Sequence, residues 1–440
     1  MPWLGSRFWG GLGRGRPWGR AGGIAETELA ADPTTASLAG ANVQALAYEG
    51  SVPGPTLRLR EGERVRLRFV NRLEEPTNLH LHGLHVSPEA DAPFLHLQPG
   101  EDHVYEFDVP EGSAGTYWYH PHPHGSVEGQ LGAGLAGALI VEGPFDSLPG
   151  IAEAEERLLV LKDSPAFRGD PVLVNGANQP ILQAKAASLR LRLLNASTGR
   201  YFRLALEGHP LYLIATDGGL IEEPVRLEEL LLAPGERAEV LVCFEREGNF
   251  RLMGLPYDAG DGPTSGPGEP LLTVAAPSRT EPGPLPSCLA EVPALDLSRA
   301  SAIQRVTFEA GVFSGKQIDG KSFEMGRVDL HAEKGTLEVW EIENLDNKAH
   351  PFHIHSYPFQ VLSRDGVPEP FRAWRDVVNL PPGKVVRIAI PFSDFAGKTV
   401  FHCHLAGHED SGMMAVLEVT EPEGEAPAAD PEPAGHHDHH

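Results

Sequence analysis

Cysteine is scarce in this chain, whose 440 residues include only Cys243, Cys288 and Cys403. Three cysteines cannot build a disulfide framework, so a small disulfide-stapled fold is excluded. We expect Cys243 to be a small residue in a strand and Cys288 a linker thiol, rather than partners in a bridge. Long apolar runs are also missing, since the most apolar window, 131–141, is about one strand long. A membrane-spanning helix is therefore not expected.

Positive charge is in deficit as well, because 36 Lys and Arg face 61 Asp and Glu and the formal net charge is −25. Such a charge disfavours nucleic acid or an anionic membrane surface as a partner. Helical periodicity is rare, whereas the chain has 49 glycines, 40 prolines and many short alternating apolar runs between turns. The pattern predicts an all-β protein made of sandwiches, and the length predicts more than one domain.

A strand-and-turn pattern occurs three times along the chain. Its alternating strands end in an asparagine, at Asn71, Asn195 and Asn344. Each strand is followed by a Pro-Gly turn with a charged residue, and then by a second alternating strand. This repeat predicts three homologous β-sandwich domains, at 41–145, 155–277 and 300–420.

The rest of the chain is expected to connect or flank these domains. Residues 1–40 are interpreted as an N-terminal arm or a degraded leader peptide, because they contain no clear signal peptide. Residues 278–299 are interpreted as a proline-rich linker, and 421–440 as a disordered acidic tail that ends in histidines. The alternative to an incidental tail is that its terminal histidines collect metal ions.

Histidine pairs are in register with the repeat. Positions 9 and 11 after the terminal asparagine hold histidines in the first and third copies, and leucines in the second: His80 and His82, His353 and His355, Leu204 and Leu206. The strand after the turn ends in further histidines, namely His120 and His122 in the first copy and His402 and His404 in the third. Alternate residues of a strand share a face, so each pair can reach two adjacent metals. The middle domain is then a spacer that orients its neighbours.

The segment 402–413, His-Cys-His-Leu-Ala-Gly-His-Glu-Asp-Ser-Gly-Met, carries the most specific chemistry. If 402–404 is extended, Cys403 points to one face and the histidines beside it to the other, so they serve different metal centres. His408 and Met413 can curl back to the sulfur. A cysteine, two histidines and a weak axial methionine form a blue-copper site. Zinc would need separate tetrahedral sites, into which these histidines and one thiolate do not divide.

Together these motifs resemble those of the multicopper oxidases, specifically the bacterial three-domain laccases, over most of 41–420. The resemblance implies three consecutive cupredoxin-like Greek-key β-sandwich domains and four copper ions per chain. The implied ligands of the type 1 copper are His350, Cys403, His408 and Met413, and those of the type 2 copper are His80 and His353. The implied ligands of the type 3 pair are His82, His120, His122, His355, His402 and His404.

Three assignments beside these ligands require a decision. His124 is left out of the ligand set, since the Trp118-Tyr119 prefix matches the family pattern ahead of His120. Met414 is expected to be a core residue, since the spacing from Cys403 selects Met413 as the ligand. Asp91 and Glu409 match acidic positions of the family near the oxygen-reducing site. They are predicted to supply protons there, and the alternative is a hydrogen bond to a ligand histidine.

The function implied by the resemblance is that of a laccase-like oxidase. A small-molecule reductant of phenolic or aromatic-amine type gives single electrons to the type 1 copper through His408, and Cys403 passes them on. Dioxygen is the acceptor and is reduced to water. The resemblance also implies a periplasmic or extracellular location, and we expect a monomer with no membrane or nucleic-acid partner.

Three alternatives remain open at this point. A cuprous oxidase for copper tolerance is the nearest, although the chain has only five methionines and none in the loop 258–269, where Asp258 and Asp261 could still offer oxygens. A copper nitrite reductase would resemble a two-domain protein instead. A non-catalytic cupredoxin-fold interaction protein would be expected to lack ligands, and every ligand position here is filled.

Overall fold

A computed structural model describes residues 19–21, 24–163, 171–260, 262, 268–278, 282–311 and 315–422. The tail after 422 and Asp261 lie outside these residues, as does most of the segment before 24. Nearly all regular structure is β-strand, as predicted, and the strands form three two-sheet sandwiches in chain order. None of the helices in the described part of the chain has the length and apolar character that crossing a bilayer requires.

The first sandwich contains nine strands and two short helices among the described residues. They are β1 (Gly19–Ala21), β2 (Ile24–Leu38), β3 (Ala41–Tyr48), β4 (Gly54–Arg60), β5 (Arg64–Asn71), β6 (His80–His82), α1 (Pro88–Asp91), β7 (Asp102–Asp108), β8 (Gly115–His120), α2 (Val127–Ala133) and β9 (Gly137–Glu142). One sheet has the order β1-β2-β5-β7 with β3 beside β2, and the other has the order β4-β9-β8-β6.

The second sandwich follows a 3-10 turn at Pro144–Ser147. Its strands are β10 (Glu155–Lys162), β11 (Leu173–Val174), β12 (Ile181–Gln183), β13 (Ser188–Asn195), β14 (Phe202–Leu206), β15 (Leu211–Thr216), β16 (Gly219–Leu227), β17 (Leu230–Leu232), β18 (Arg237–Cys243), β19 (Gly248–Leu255) and β20 (Glu269–Ala276). The two sheets have the orders β11-β10-β13-β18-β15-β16 and β12-β20-β19-β14-β17.

The third sandwich follows a second 3-10 turn at Leu297–Arg299. Its elements are β21 (Ala300–Gly311), β22 (Gly315–Ile318), β23 (Leu330–Glu333), β24 (Thr336–Asn344), β25 (His350–Ile354), β26 (Phe359–Arg364), β27 (Val367–Pro368), β28 (Trp374–Arg375), β29 (Val377–Leu380), β30 (Val385–Phe392), β31 (Gly397–Cys403), α3 (Ala406–Asp410) and β32 (Met414–Thr420). Its sheets run β22-β21-β24-β30-β26-β27, with β28 beside β26, and β23-β32-β31-β25-β29.

The terminal asparagine of each repeat is hydrogen-bonded both to the loop that follows its strand and to the Pro-Gly turn. Asn71 is fully buried, and its side-chain amide donates to the carbonyl oxygens of Glu75 and Leu97 at 2.9 Å each. Its main-chain oxygen accepts from the N–H of Gly100 in the Pro-Gly turn at 2.8 Å. Asn195 and Asn344 make the same set of bonds. The two shared motifs of the repeat are therefore hydrogen-bonded to each other, which fixes where the histidine-bearing strand between them begins.

The same alternating pattern produces two different environments in the first two copies. In β5 the arginines face solvent, and Arg66 pairs across the sheet with Glu106 at 2.9 Å. In β13 both faces are buried, and Arg190 and Arg192 are 3% and 0% exposed. They are neutralised by Glu239 and by carboxylates that include Asp146, which a buried arginine requires. The face of β13 that carries these two arginines is therefore buried, whereas the matching face of β5 is exposed to solvent.

One expectation was wrong, because the predicted N-terminal arm contains β2. This strand runs parallel to β5 from Ile24 to Ala31 and antiparallel to β3 over its second half. Its buried side chains are mostly alanines, so the apolar alternation is weak and the sequence shows little strand signal. The other predicted domain boundaries remain predictions. All three cysteines are free, and the Cys243 thiol lies 3.9 Å from Ser188 Oγ.

Candidate metal centre

Two equivalent strand pairs carry most of the histidines. In the first sandwich β6 lies antiparallel to β8, with His80 opposite His120. In the third sandwich β25 lies antiparallel to β31, with His353 opposite His402. The ends of these two sheets meet, so histidines that are far apart in sequence come into contact. The ring nitrogens Nε2 of His80 and His353 are 3.3 Å apart.

Two groups of three histidines form beside that pair. Nδ1 of His82 lies 3.3 Å from Nε2 of His120 and 3.3 Å from Nε2 of His404. In the second group, Nε2 of His402 lies 3.2 Å from Nε2 of His122 and 3.2 Å from Nε2 of His355.

These spacings test whether a metal ion fits. Nitrogens bound tetrahedrally to one metal at about 2.0 Å lie about 3.3 Å from each other. In each group, two of the three nitrogen pairs have that spacing. The donor sets therefore fit a metal ion in each group.

A fourth group lies on the opposite face of β31. Nδ1 of His350 is 3.4 Å from Sγ of Cys403 and 3.2 Å from Nδ1 of His408, and Sγ is 3.7 Å from Nδ1 of His408. Met413 is fully buried in the apolar cluster that also contains Cys403, and its N–H donates to the carbonyl oxygen of His408 at 2.9 Å. The predicted division of the segment 402–404 between two faces is thus what the fold contains.

Burial sets the protonation state of these groups. Burial is the main cause that lowers the pKa of His350 and of His402 to about 4 and that of His408 to about 3. The same cause lowers the pKa of the other seven histidines well below 6.5: His80, His82, His120, His122, His353, His355 and His404. At neutral pH each imidazole therefore keeps a free lone pair. Burial raises the pKa of Cys403, whose thiol proton a soft metal ion would displace.

Asp91 and Glu409 lie beside the histidines. The carboxylate oxygens of Asp91 lie 2.7 Å from Nδ1 of His80 and 2.7 Å from Nδ1 of His355, so Asp91 joins the two sandwiches. Glu409 Oε1 lies 3.1 Å from Nε2 of His122, and its Oε2 lies 3.3 Å from Nδ1 of His402. Burial, with a smaller contribution from Asp410, raises the pKa of Glu409 well above 4.5.

Sequence reasoning missed Asp376, Arg237 and Gly235. Oδ1 of Asp376 lies 3.0 Å from Nε2 of His82, and its main-chain oxygen accepts from Nδ1 of His353 at 2.8 Å. Arg237 and Gly235 lie in the second sandwich, and a Cβ on Gly235 would lie 2.9 Å from the ring of His404. The repeat register places Gly235 in a Pro-Gly turn but gives no sign that a histidine packs on it. Asp376 is in no motif.

Two further predictions concern residues left out of the site. His124 packs its ring against Phe323 at 4.7 Å and belongs to none of the groups above. Met414 packs with Val400 and Val416 in a small apolar cluster, as expected for a core residue.

Comparison with known proteins identifies the family. Three family models, each described as multicopper oxidase, match residues 30–145, 151–264 and 295–423. The chain belongs to the multicopper oxidase family. It is therefore a copper-binding oxidoreductase that uses a reducing substrate and O2, and its three sandwiches are cupredoxin-like domains.

Named relatives and solved structures agree with this membership. The multicopper oxidase mco of Staphylococcus haemolyticus is 34% identical, over 85% of this chain and 84% of its own. The laccase of Bacillus subtilis is 27% identical, over 85% of this chain and 90% of its own. The solved multicopper oxidase from Campylobacter jejuni, described as a metallo-oxidase, is 30% identical with a TM-score of 0.84, over 92% of this chain and 93% of its own.

Proposed function

We propose that this oxidase is laccase-like and takes single electrons from a phenolic or aromatic-amine substrate. Four copper ions, when bound, supply the one-electron chemistry and the four-electron reduction of O2 to two waters. The proposed type 1 ligands are His350, Cys403, His408 and Met413, and the proposed type 2 ligands are His80 and His353. The proposed type 3 ligands are His82, His120, His122, His355, His402 and His404.

The observation that carries this proposal is the environment of Cys403. Its thiol faces Nδ1 of His350 and of His408, while the adjacent residues His402 and His404 each belong to a different group of three histidines. Only a few covalent bonds therefore separate the sulfur from both oxygen-reducing groups. A non-catalytic protein with this fold has no need for such an arrangement.

The reductant is proposed to dock at the imidazole edge of His408. This histidine is partly exposed, whereas His350 is fully buried and its Nε2 lies 3.2 Å from Oδ2 of Asp346. A substrate at the surface can therefore reach the ring of His408 and cannot reach that of His350.

Proton supply is proposed for both acidic residues, and the contacts support this role better for Glu409 than for Asp91. Oε1 of Glu409 is buried 3.1 Å from His122, and it has no hydrogen-bond partner in the described part of the protein. An atom in that position can hold a proton and release it toward the histidine groups. Asp91 already accepts from two imidazoles at 2.7 Å each, which favours orientation of those rings over proton transfer.

The test is steady-state oxygen consumption by the copper-loaded protein with a phenol, a bulky dye and Cu(I). We expect a blue protein whose turnover number is highest with the phenol or the dye. A protein that stays colourless after copper loading, or that consumes no oxygen with any of the three, would refute the proposed function. Glu409→Gln should lower oxygen turnover while copper content stays at the wild-type level.

A cuprous oxidase is the second candidate, and one side chain favours it. Met325 is 54% exposed on a segment that packs beside the type 1 group, since the N–H of Phe323 donates to the carbonyl oxygen of Gly412 at 2.9 Å. A thioether suits Cu(I). In contrast, Asp258 accepts from the N–H groups of Gly260 and Gly262, so its carboxylate is engaged within its own loop. If this candidate is right, Met325→Leu should lower Cu(I) turnover more than phenol turnover.

The proposal also includes a monomeric enzyme that works in the periplasm or outside the cell. The resemblance to the family motivates both points. Sedimentation of the copper-loaded protein and fractionation of the producing cells test them, and a stable dimer or a cytoplasmic pool would refute them.

A further inference from the structure

The second sandwich, which contributes none of the proposed ligands, reaches the histidines through Arg237. This residue begins β18, directly after the Pro-Gly turn of the second repeat, and is 1% exposed. A buried guanidinium is costly unless its N–H groups are all bonded. All five are bonded here, to oxygens of all three sandwiches. Nε donates to Thr116 O at 3.0 Å, Nη1 to Gly235 O at 3.1 Å and Asp376 Oδ1 at 2.6 Å, and Nη2 to Asp217 O at 3.0 Å and Asp376 Oδ2 at 2.6 Å.

Asp376 connects this arginine to a proposed copper ligand. Both of its oxygens accept from Arg237 in the two-pronged geometry that a carboxylate and a guanidinium share. The oxygen Oδ1 also lies 3.0 Å from Nε2 of His82. A carboxylate held by a cation accepts hydrogen bonds only, so the proton of the neutral imidazole is fixed on Nε2. The lone pair of His82 is then on Nδ1.

This tautomer matters because His82 differs from the other histidines of the two groups of three. It presents Nδ1 to its group, whereas His120, His404, His122, His355 and His402 present Nε2. An imidazole in water carries its proton on either nitrogen, and the wrong tautomer of His82 would aim an N–H at His120 and His404. The contact with Asp376 removes that alternative.

Gly83 gives an independent indication that this contact is built into the fold. Its backbone φ is +89°, a value that residues other than glycine rarely adopt. A Cβ at this position would overlap Nη2 of Arg237 and would lie 2.6 Å from Oδ2 of Asp376. The absent side chain after His82 therefore makes room for the ion pair.

We infer that Arg237 and Asp376 are positioning residues for the type 3 copper group of His82, with Arg237 acting from the second sandwich. Arg237 orients and charges Asp376, and Asp376 fixes the ring and the proton of His82. The inference rests on the proposed function, which supplies the assignment of His82 as a ligand. A purely structural role would instead make the ion pair an interdomain clamp with no effect on the metal.

The test compares Asp376→Asn and Arg237→Lys with Arg192→Lys. Arg192 is also a fully buried arginine of the second sandwich that contacts Thr116, but no proposed copper ligand touches it. Lysine keeps the charge but loses the fixed directions of the guanidinium N–H groups, so both lysine variants lose buried hydrogen bonds to carboxylates. Copper per chain, blue absorbance and the EPR-detectable fraction of copper are measured for each variant after loading.

A coupled type 3 pair gives no EPR signal, so loss of one ion exposes the signal of the other. We expect Asp376→Asn and Arg237→Lys to bind one copper about 10- to 100-fold more weakly. Their EPR-detectable fraction should rise while the blue absorbance per chain stays unchanged. Arg192→Lys should keep the wild-type copper content and EPR-silent fraction, even if it lowers the melting temperature.

Different results would overturn the positioning role and the proposed function. Wild-type copper content and EPR-silent fraction in Asp376→Asn would overturn the inference, as would equal losses in Arg192→Lys. If Arg237→Lys does not fold, Asp376→Asn and Gly83→Ala, which displaces the same ion pair, decide alone. A wild-type protein without EPR-silent copper would refute the proposed function, and with it the assignment on which this inference rests.

Discussion

Replacing Asp91 by asparagine should weaken copper binding at the site that joins the first and third sandwiches. The carboxylate of Asp91 accepts from Nδ1 of both His80 and His355 at 2.7 Å. The amide of asparagine has one acceptor oxygen and one NH2 group, so only one of the two imidazoles can keep its bond. The other then directs an N–H at an N–H inside a buried site.

The magnitude follows from that single lost bond. A hydrogen bond to a charged acceptor contributes about 1.5–3 kcal/mol, and an unsatisfied buried donor costs a similar amount. Each 1.4 kcal/mol is a factor of ten in affinity. We therefore expect about 10- to 100-fold weaker binding of the affected copper, which is the usual effect of losing a carboxylate behind a metal-bound histidine.

The assay is titration of the metal-free protein with copper in the presence of a competing chelator, with EPR to identify which copper is lost. Glu89→Gln is the matched control, because Glu89 is exposed on the same short helix, two residues from Asp91. An Asp91→Asn affinity within twofold of the control would refute the reasoning. If copper is retained and oxygen turnover is also unchanged, the predicted proton role of Asp91 fails as well.

Three other perturbations have definite expected outcomes. Cys403→Ser should abolish blue absorbance and substrate oxidation, yet keep the copper bound by histidines alone, as absorbance and copper content would show. Gly235→Ala should weaken copper binding about tenfold or more because its Cβ would lie 2.9 Å from the ring of His404, whereas Gly100→Ala has a similar φ but open space around its Cβ and should not. Burial alone would raise the pKa of Glu156, but three neighbouring arginines lower it to about 2, so its stabilising effect is complete above the ordinary value of 4.5 and is lost as pH falls through about 2. Glu156→Gln should therefore lower the free energy of unfolding at pH 6 by at most about 3 kcal/mol, which thermal melts would report as a lower melting temperature. The difference from wild type should shrink toward pH 3.

The sequence was sufficient for the fold class and for the convergence of the histidines. Strand periodicity places alternate side chains on one face. Each histidine pair lies at the same distance in sequence after the terminal asparagine, so His80 and His353 can be matched from the sequence alone. The division of Cys403 from its two neighbours follows from the same period of two. These signals are local, and local signals are readable in a single sequence.

What the sequence could not provide depends on contacts between distant segments. Asp376 and Arg237 are 139 residues apart, and neither belongs to a motif. The choice of Nδ1 in His82 depends on that same contact, so periodicity could not reveal it. The alternating pattern of β13 is like that of β5, but only the packed structure shows that its arginines are buried. β2 was missed because its buried alanines give weak contrast.

The large sequence distances between partner histidines have a consequence for biosynthesis. His80 and His353 are 273 residues apart, and His82 and His404 are 322 apart. A nascent chain that has emerged only through the second sandwich carries the histidines of the first sandwich, but none of the third-sandwich histidines that complete each group. Each group of histidines that spans the first and third sandwiches can close only after the last strands have left the ribosome and docked. Metal capture is then a late event, and a prematurely terminated chain has no complete cage in which to hold a redox-active ion.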